Sequence, residues 1–337
     1  MFVAGPCSAE AREQVLLTAR LIKDACGDTP YIFRAGAWKP RTSPESFQGA
    51  GEEALTWLAE VQQTYGIPTA TEVATPDHVR EALFAGIAYL WIGARTSANP
   101  IAVQAIADTI RKTRRKPKGV LVKNPVSEDA QLWLGNIARL EQTSLPVIAV
   151  HRGCNHKPCW AMAHTVRQAR PELPLLIDPS HMSGDALQVL VLLHKAAELH
   201  YDGAMIEVHD NPSHALSDAK QQITPTCLRD TLDAIPTLFC RSETASKDKE
   251  QASELAWLRA EIDELDDQLW DSIARRMDVS RRIGEWKKAN HVAPLQPERY
   301  RMIVEQREQW AQAHGLSPDF AKALFDSIHA ESLRHQE

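Results

Sequence analysis

Residues 52–93 read EEALTWLAEVQQTYGIPTATEVATPDHVREALFAGIAYLWIG. Apolar residues recur at helical spacing from Glu52 to Tyr65. Two short runs rich in β-branched and aromatic residues follow, Pro68 to Val73 and Tyr89 to Gly93, with a second helical pattern between them. The same alternation extends over about the first 240 residues. Further strands are expected at Phe2 to Gly5, Tyr31 to Ala35, Gly119 to Lys123, Pro146 to His151, Leu175 to Asp178 and Ala204 to His209, and a further helix at Asp185 to His200. Eight strand–helix repeats predict an α/β fold closed into a (β/α)8 TIM barrel, in preference to an open doubly wound sheet. Barrels of this kind usually have something closing the bottom. A first strand beginning at residue 2 therefore raises the expectation that a natural leader is lacking.

A barrel of about 250 residues leaves room in 337 residues for one small second domain. The net charge of −6 gives no global reason to expect nucleic acid or an anionic membrane as a partner. No apolar run approaches the roughly 18 residues of a membrane span, and the N-terminus carries no signal-peptide pattern. Six irregularly spaced cysteines suit a reducing compartment, so the cytoplasm is expected.

Near Arg241 the texture changes. Arg241 to Ser253 (RSETASKDKEQAS) is nearly devoid of apolar residues and reads as a linker. Beyond it Leu255, Leu258, Ile262, Leu265, Leu269 and Ile273 recur three and four apart. A helix from Ser253 to Ala289 would be roughly 55 Å long, too long to pack on itself, so it needs a partner. A second helix follows Pro297, and Ser317-Pro318 supplies the N-cap and first-turn proline of a third. The expected domains are a barrel over 1–240, a linker over 241–253 and an all-α domain over 254–337.

Catalytic groups in such barrels sit at the C-terminal ends of the strands. Here those ends carry Cys7; Arg34, Lys39, Arg41, Thr42 and Ser43; Glu72; Arg95; Lys123; His151 and Arg152; His181; and Glu207, with Asp218 in the next loop. Two groups emerge. Arg34, Lys39, Arg41, Arg95, Lys123 and Arg152 aim six cations at one mouth, which calls for multivalent anions such as phosphates and carboxylates. Cys7, His181, Glu207 and Asp218 combine a thiolate, an imidazole and two carboxylates, a donor set suited to Mn, Fe, Co or Zn. Cys154 and Cys159 flank His156 in HRGCNHKPC, but their spacing fits no common zinc pattern, so this segment reads as a loop beside Arg152.

AGPCSAE, KPRTSP, the GAR at Arg95, HRG, DPSH and EVH…ALSD together resemble the type I 3-deoxy-D-arabino-heptulosonate 7-phosphate (DAHP) synthases of the compact-barrel branch, collinearly from residue 3 to about 238. The resemblance implies metal ligation by Cys7, His181, Glu207 and Asp218. It places the phosphate of phosphoenolpyruvate on Arg95, Lys123 and Arg152, and its carboxylate at Arg34 and Lys39. KPRTS stands where sister synthases that use a five-carbon sugar phosphate carry an Asn-containing loop. The resemblance therefore implies erythrose 4-phosphate at Arg41, Thr42 and Ser43. Lys39 is the candidate proton donor to the new alkoxide, and Glu72 the residue that orients the attacking water.

On the long helix Arg276 and Lys287 differ by about 20° and share a face, whereas Arg259 lies about 100° from Arg276. Arg299 follows the turn, and Ser332 and Gln336 share a face of the last helix. LRAEIDELDDQL, ARR, Lys287, PLQPER and ES followed by a Gln resemble the all-helical chorismate mutases over Leu255 to Gln336. That resemblance implies an intertwined homodimer or higher homo-oligomer, in which each site borrows Arg259 from the partner. It implies substrate carboxylates on Arg276 and Arg299, and Lys287 and Gln336 on the ether oxygen of chorismate, with Ser332 lining the site. Gln296 and Tyr300 depart from the family where the substrate hydroxyl would be held. The two resemblances together imply a bifunctional shikimate-pathway enzyme. An alternative keeps the synthase and makes the helical part chiefly a sensor of prephenate or chorismate and a dimeriser.

Overall fold

The computed structural model describes residues 1–39, 45–235, 247–293 and 295–336. Eight strands form a closed barrel in chain order: β1 (Phe2–Gly5), β2 (Ile32–Arg34), β3 (Thr69–Val73), β4 (Tyr89–Ile92), β5 (Gly119–Lys123), β6 (Val147–His151), β7 (Leu175–Ile177) and β8 (Ala204–Glu207). All neighbours are parallel, and β1 closes on β8 through Phe2 to Gly5 against Ala204 to Glu207. All eight expected strands are present, most of them trimmed by a residue or two. β8 ends two residues early: Val208 bridges Ile223, and His209 lies beyond the strand.

The helices of the barrel are α1 (Arg12–Cys26), α2 (Glu52–Tyr65), α3 (Pro76–Ala85), a short α4 (Ala94–Ser97), α5 (Pro100–Lys112), α6 (Ala130–Glu141), α7 (Trp160–Ala169), a short α8 (Pro179–Ser183), α9 (Val189–Glu198) and α10 (Pro225–Ala234). Thr75, Asn99, Asp178 and Thr224 cap helices whose first residue is proline, and each side chain accepts an amide hydrogen from the first turn. The helix expected over Asp185 to His200 begins instead as a 3-10 turn, Ala186–Gln188, capped by Asp185.

Side chains alternate across each strand. One set faces the helices and forms the large outer core. The other fills the barrel: Val3, Ile32, Ala70, Trp91, Leu121, Ile148, Val150, Leu176 and Met205. His151 therefore falls on the outer side. It is fully buried, pairs through Nδ1 with the Tyr201 hydroxyl at 2.7 Å, and packs against Trp133 and Trp160.

The chain divides into two compact units, Met1–Glu261 and Ile262–Glu337. The long helix α11 spans Lys247–Ala289, so it begins inside the stretch read as a linker. Lys, Glu, Gln and Ala are good helix formers, and a polar composition is no obstacle to a helix. Residues 241–246 lie outside the described residues. Residues 254–261 cluster with the barrel because Trp257, 1% exposed, stacks flat on His164 at 5.4 Å and meets Trp160 and Tyr201. Glu254 and Glu261 take the two nitrogens of that histidine at 3.0 and 2.6 Å. The second unit holds the rest of α11, α12 (Pro297–Ala313) and α13 (Pro318–Arg334). No described helix is long and apolar enough to cross a membrane.

Burial pushes the His151 imidazole down to about 3, with the Arg152 charge adding to the effect. The folded state resists a proton that the unfolded chain accepts near the ordinary value of about 6.5. His151 thus costs no stability above that value. It destabilises progressively as the pH falls from there toward 3, by up to about 1.4 kcal/mol per pH unit. Urea midpoints measured from pH 7.5 to 5 are expected to fall less steeply in His151→Phe than in the parent. Parallel curves would contradict the assignment.

Candidate active site

One geometric step builds the barrel mouth. Two residues beyond an interior apolar side chain, a strand presents its next inward side chain at the C-terminal rim. Ile32 is followed by Arg34, Ala70 by Glu72, Leu121 by Lys123, Val150 by Arg152, Leu176 by Asp178 and Met205 by Glu207. On β1 the sequence continues inward past Gly5 to Cys7. Trp91 is followed by Gly93, and a side chain there would strike Glu72 Oε1 at 1.9 Å, so this glycine makes room for the Glu72 carboxylate.

The Cys7 thiol donates to Asp218 Oδ2 at 3.0 Å and accepts from Lys39 Nζ at 3.0 Å. Its amide is held by Gln222 Oε1 at 2.9 Å. Asp218 reaches in from a left-handed backbone conformation, φ 49°. Glu207 accepts from Arg34 Nη2 at 2.9 Å on one oxygen and from Gln221 Nε2 at 2.7 Å on the other. One donor atom each of Cys7, Glu207 and Asp218 lie within 4.8 Å of one another, and among the described residues no other group of three His, Cys, Asp or Glu does so. His181 stands beside this group, its Nε2 3.6 Å from Glu207 Oε1. Thiol, imidazole and two carboxylates at this spacing fit a borderline divalent ion better than magnesium or calcium, which take oxygen donors.

Asp178 is the residue that sequence reasoning missed. It caps α8, accepts His181 Nδ1 at 2.9 Å and receives Lys123 Nζ at 2.6 Å. Binding Nδ1 turns Nε2 toward Glu207, the usual arrangement around a ligating histidine. The signal was available in DPSH, where an N-cap Asp precedes Pro179 and sits two residues past an inward strand position. Gln221 and Gln222, which seat Glu207 and Cys7, come from a 3-10 turn with no legible pattern.

Burial pushes the Cys7 thiol up to about 12, with Glu207 adding to the effect. Burial alone would raise Asp178 and Glu207 as well. His181 and Lys123 outweigh it at Asp178, and His181, Arg34 and Lys39 at Glu207, so both carboxyls are held below their usual range. Burial lowers Lys123. Lys39 goes the other way, raised despite burial by Cys7, Glu72 and Glu207.

Arg34 is fully buried with its guanidinium carbon 4.8 Å above the Trp91 ring, and its Nε and Nη1 have no hydrogen-bond partner. Arg95 is exposed at the start of α4, and Arg152 is half-buried with its amide on Asn124 Oδ1 at 2.7 Å. Arg41, Thr42 and Ser43 lie outside the described residues. Cys154 and Cys159 are buried whereas His156 is exposed, in a loop turned by left-handed Asn155, His156 and Cys159, so these three do not gather as a second metal group. His151 does not face the mouth.

In the second unit, Lys287 Nζ donates to Gln336 Oε1 at 2.9 Å, and Arg276 Nη1 donates to the Ser332 hydroxyl. Ser332 and Gln336 are buried, and burial lowers Arg276. These four residues come together as the shared helix faces require. Arg299 is exposed. Arg259 falls in the first unit, exposed on α11, and is not part of this group. Tyr300 donates its hydroxyl to Asp326, which also holds Lys322 at 2.8 Å.

Fold and mouth define a class: a (β/α)8 barrel whose C-terminal face gathers metal-type donors and cationic side chains, followed by a helical unit in which Lys287 meets Gln336 and Arg276 meets Ser332. The DAHP synthetase I family model matches residues 1–238, and the chorismate mutase type II model matches residues 258–337. The chain belongs to the DAHP synthetase I family and carries a chorismate mutase type II segment behind the barrel. It is 32% identical over 229 residues to a phospho-2-dehydro-3-deoxyheptonate aldolase of Thermotoga maritima, covering 66% of this chain and 64% of that protein, just under two thirds of its length. It is 36% identical over 87 residues to a 4-amino-4-deoxychorismate mutase of Streptomyces venezuelae, covering 26% of this chain and 84% of that relative. A crystal structure of a Thermotoga maritima DAHP synthase aligns with a TM-score of 0.61 at 28% identity, covering 71% of this chain and 69% of that one.

Gly284, near the C-terminal end of α11, also escaped the sequence reading. A side chain there would lie 2.6 Å from the Gln336 Cα and 2.9 Å from its carbonyl oxygen, so the glycine lets the end of α13 seat against the helix. Helix propensity alone predicts that Gly284→Ala stabilises by about 1 kcal/mol. The contact reverses that sign, and the thermal midpoint of Gly284→Ala is expected below that of the parent. A higher midpoint would contradict the seating.

Proposed function

We propose that the barrel condenses phosphoenolpyruvate with erythrose 4-phosphate to DAHP and phosphate, and that the helical unit rearranges chorismate to prephenate. The observation that carries the first half is Arg34. Two buried guanidinium nitrogens without partners, Nε and Nη1, cost about 1–3 kcal/mol each, a penalty that a carboxylate set between Arg34 and Lys39 would relieve. Lys123 ends β5, Arg152 follows β6 and Arg95 follows β4, positions at the C-terminal rim that suit them to the phosphate. Cys7, His181, Glu207 and Asp218 would hold a divalent metal, and what such an ion supplies is polarisation of the aldehyde oxygen.

In this reading the enol carbon of phosphoenolpyruvate attacks the aldehyde carbon, and Lys39 gives its proton to the new alkoxide. Water, oriented by Glu72, adds to the neighbouring carbon where positive charge has developed, and phosphate then leaves by C–O cleavage. Lys39 is buried with its Nζ 3.0 Å from the Cys7 sulfur, beside the donor group that would receive the aldehyde, so its proton is within reach of the new alkoxide. The expected result is that phosphoenolpyruvate is consumed only when erythrose 4-phosphate and a divalent metal are both present. Exhaustive chelation abolishes this activity and leaves the barrel folded, because the donors sit on an already closed sheet. Asp178→Asn is expected to weaken metal binding by about 10–100-fold, since it orients His181 without ligating. Full activity at a metal content near zero would contradict the reading.

The mutase reading rests on Lys287 and Gln336 meeting at 2.9 Å, where they can bind an ether oxygen as its negative charge grows. Arg276 and Arg299 suit the carboxylates. The chemistry needs only positioning and electrostatics. Lys287→Ala is expected to lose roughly 3 kcal/mol of transition-state stabilisation, on the order of a hundredfold in turnover, while sparing the synthase. A mutase rate within about twofold of the parent would rule Lys287 out. Relatives named 4-amino-4-deoxychorismate mutases favour a second substrate reading, and Tyr300, anchored on Asp326, stands at the hydroxyl position that would distinguish them. Assaying chorismate beside its 4-amino analogue decides between them. Ile262, Leu265, Leu269 and Trp270 are 58%, 62%, 46% and 66% exposed, which supports a homodimer formed through this helix that brings in Arg259 from the partner copy.

A further inference from the structure

The opposite end of the barrel holds a cavity of about 310 Å³ that the reactions above do not use. Pro68, Ala88 and Lys118 immediately precede β3, β4 and β5, so the cavity opens at the N-terminal rim, with the packed barrel interior between it and the mouth. Its floor is Gln62, Gly66, Ile67 and the Gly86–Ala88 turn, and its wall is Arg115, Lys116 and Lys118. No acidic side chain lines it among the described residues.

The wall belongs to RKTRRKPK, residues 111–118, which carries six cations in eight residues. Among the described residues only Arg111 has an acidic partner, Asp108 at 3.6 Å. A structural purpose accounts for part of this charge. α2, α3 and α5 all end here, and each C-terminus presents about half a negative charge. Arg115 donates to the Phe84 carbonyl at 3.3 Å, and Lys116 donates to the Ile110 and Arg111 carbonyls at 2.5 and 2.8 Å. Three helix ends supply about −1.5, against +3 from Arg115, Lys116 and Lys118 alone, with Lys112 and Arg114 adjacent. The positive excess exceeds what helix capping can neutralise. Gly66 leaves the floor open, for an added Cβ would meet nothing within 4 Å.

We propose that this cavity binds a small phosphorylated ligand, with Lys118 and Arg115 as its principal charge partners. The volume admits a compact group such as a diphosphate, at the low end of ordinary ligand sites. Position separates it from the mouth: a ligand here meets the barrel's floor and the ends of three helices rather than the reacting atoms.

The test uses the full chain in metal-free buffer with inorganic pyrophosphate as probe, by calorimetry and by lysine acetylation read out by mass spectrometry. The proposal expects a saturable site, beside any in the mouth, that is retained in Arg95→Ala/Arg152→Ala and weakened at least tenfold in Arg115→Ser/Lys118→Ser. It also expects Lys116 and Lys118 of the parent to be protected from acetylation by pyrophosphate. That second readout needs no variant and stands even if the double substitution impairs folding. Binding lost only in the mouth variant, binding unchanged in the Arg115/Lys118 variant, non-saturable binding, or acetylation of Lys116 and Lys118 indifferent to pyrophosphate would each overturn it.

Discussion

The structure depends on the alternation of side chains across eight short parallel strands. Once the barrel is closed, every second residue must point to its axis. The axis is already filled by Val3, Ile32, Ala70, Trp91, Leu121, Val150, Leu176 and Met205. The next inward position on each strand is therefore the first one with access to the mouth, and the chain spends it on Arg34, Glu72, Lys123, Arg152, Asp178 and Glu207. Buried charges of both signs are costly singly. Here two of the three carboxylates meet a cation directly: Glu207 meets Arg34, and Asp178 meets Lys123. What stays unsatisfied is the outer edge of Arg34, which suits it to an incoming anion.

This constraint explains what could be read from the residues alone. The eight strands were legible because β-branched runs recur between helical ones, and the functional ends were legible because charges follow apolar runs without a turn between them. His151 misled as one of those ends. The register that puts Val150 inside turns the next side chain out, and only the pairing of β6 fixes that register. Asp178 was hidden by its ordinary role as a helix cap. Gln221 and Gln222 were hidden because glutamine carries no signature until its partner is known. Arg41, Thr42 and Ser43 lie outside the described residues, so the structure adds nothing to the reading of KPRTS.

The helical unit obeys a different physics. Helical period alone grouped Arg276 with Lys287 and separated Arg259, and the contacts of Arg276 with Ser332 and of Lys287 with Gln336 follow from it. The start of α11 could not be placed by composition. Residues 247–253 look unstructured by polarity, yet they are helical, and the burial of Trp257 ties 254–261 to the barrel. Past Glu261 the apolar residues Ile262, Leu265, Leu269 and Trp270 are exposed, an apolar stripe wider than a solvated helix needs.

We propose that Cys7, His181, Glu207 and Asp218 converge on one divalent ion at the rim of a preformed barrel. Anomalous diffraction from crystals soaked in Mn²⁺ tests it most directly. The account predicts a single strong peak in the mouth, with the Cys7 sulfur, His181 Nε2 and carboxylate oxygens of Glu207 and Asp218 as its nearest protein atoms. A peak elsewhere, or one in the mouth that Cys7 and His181 do not touch, would contradict it.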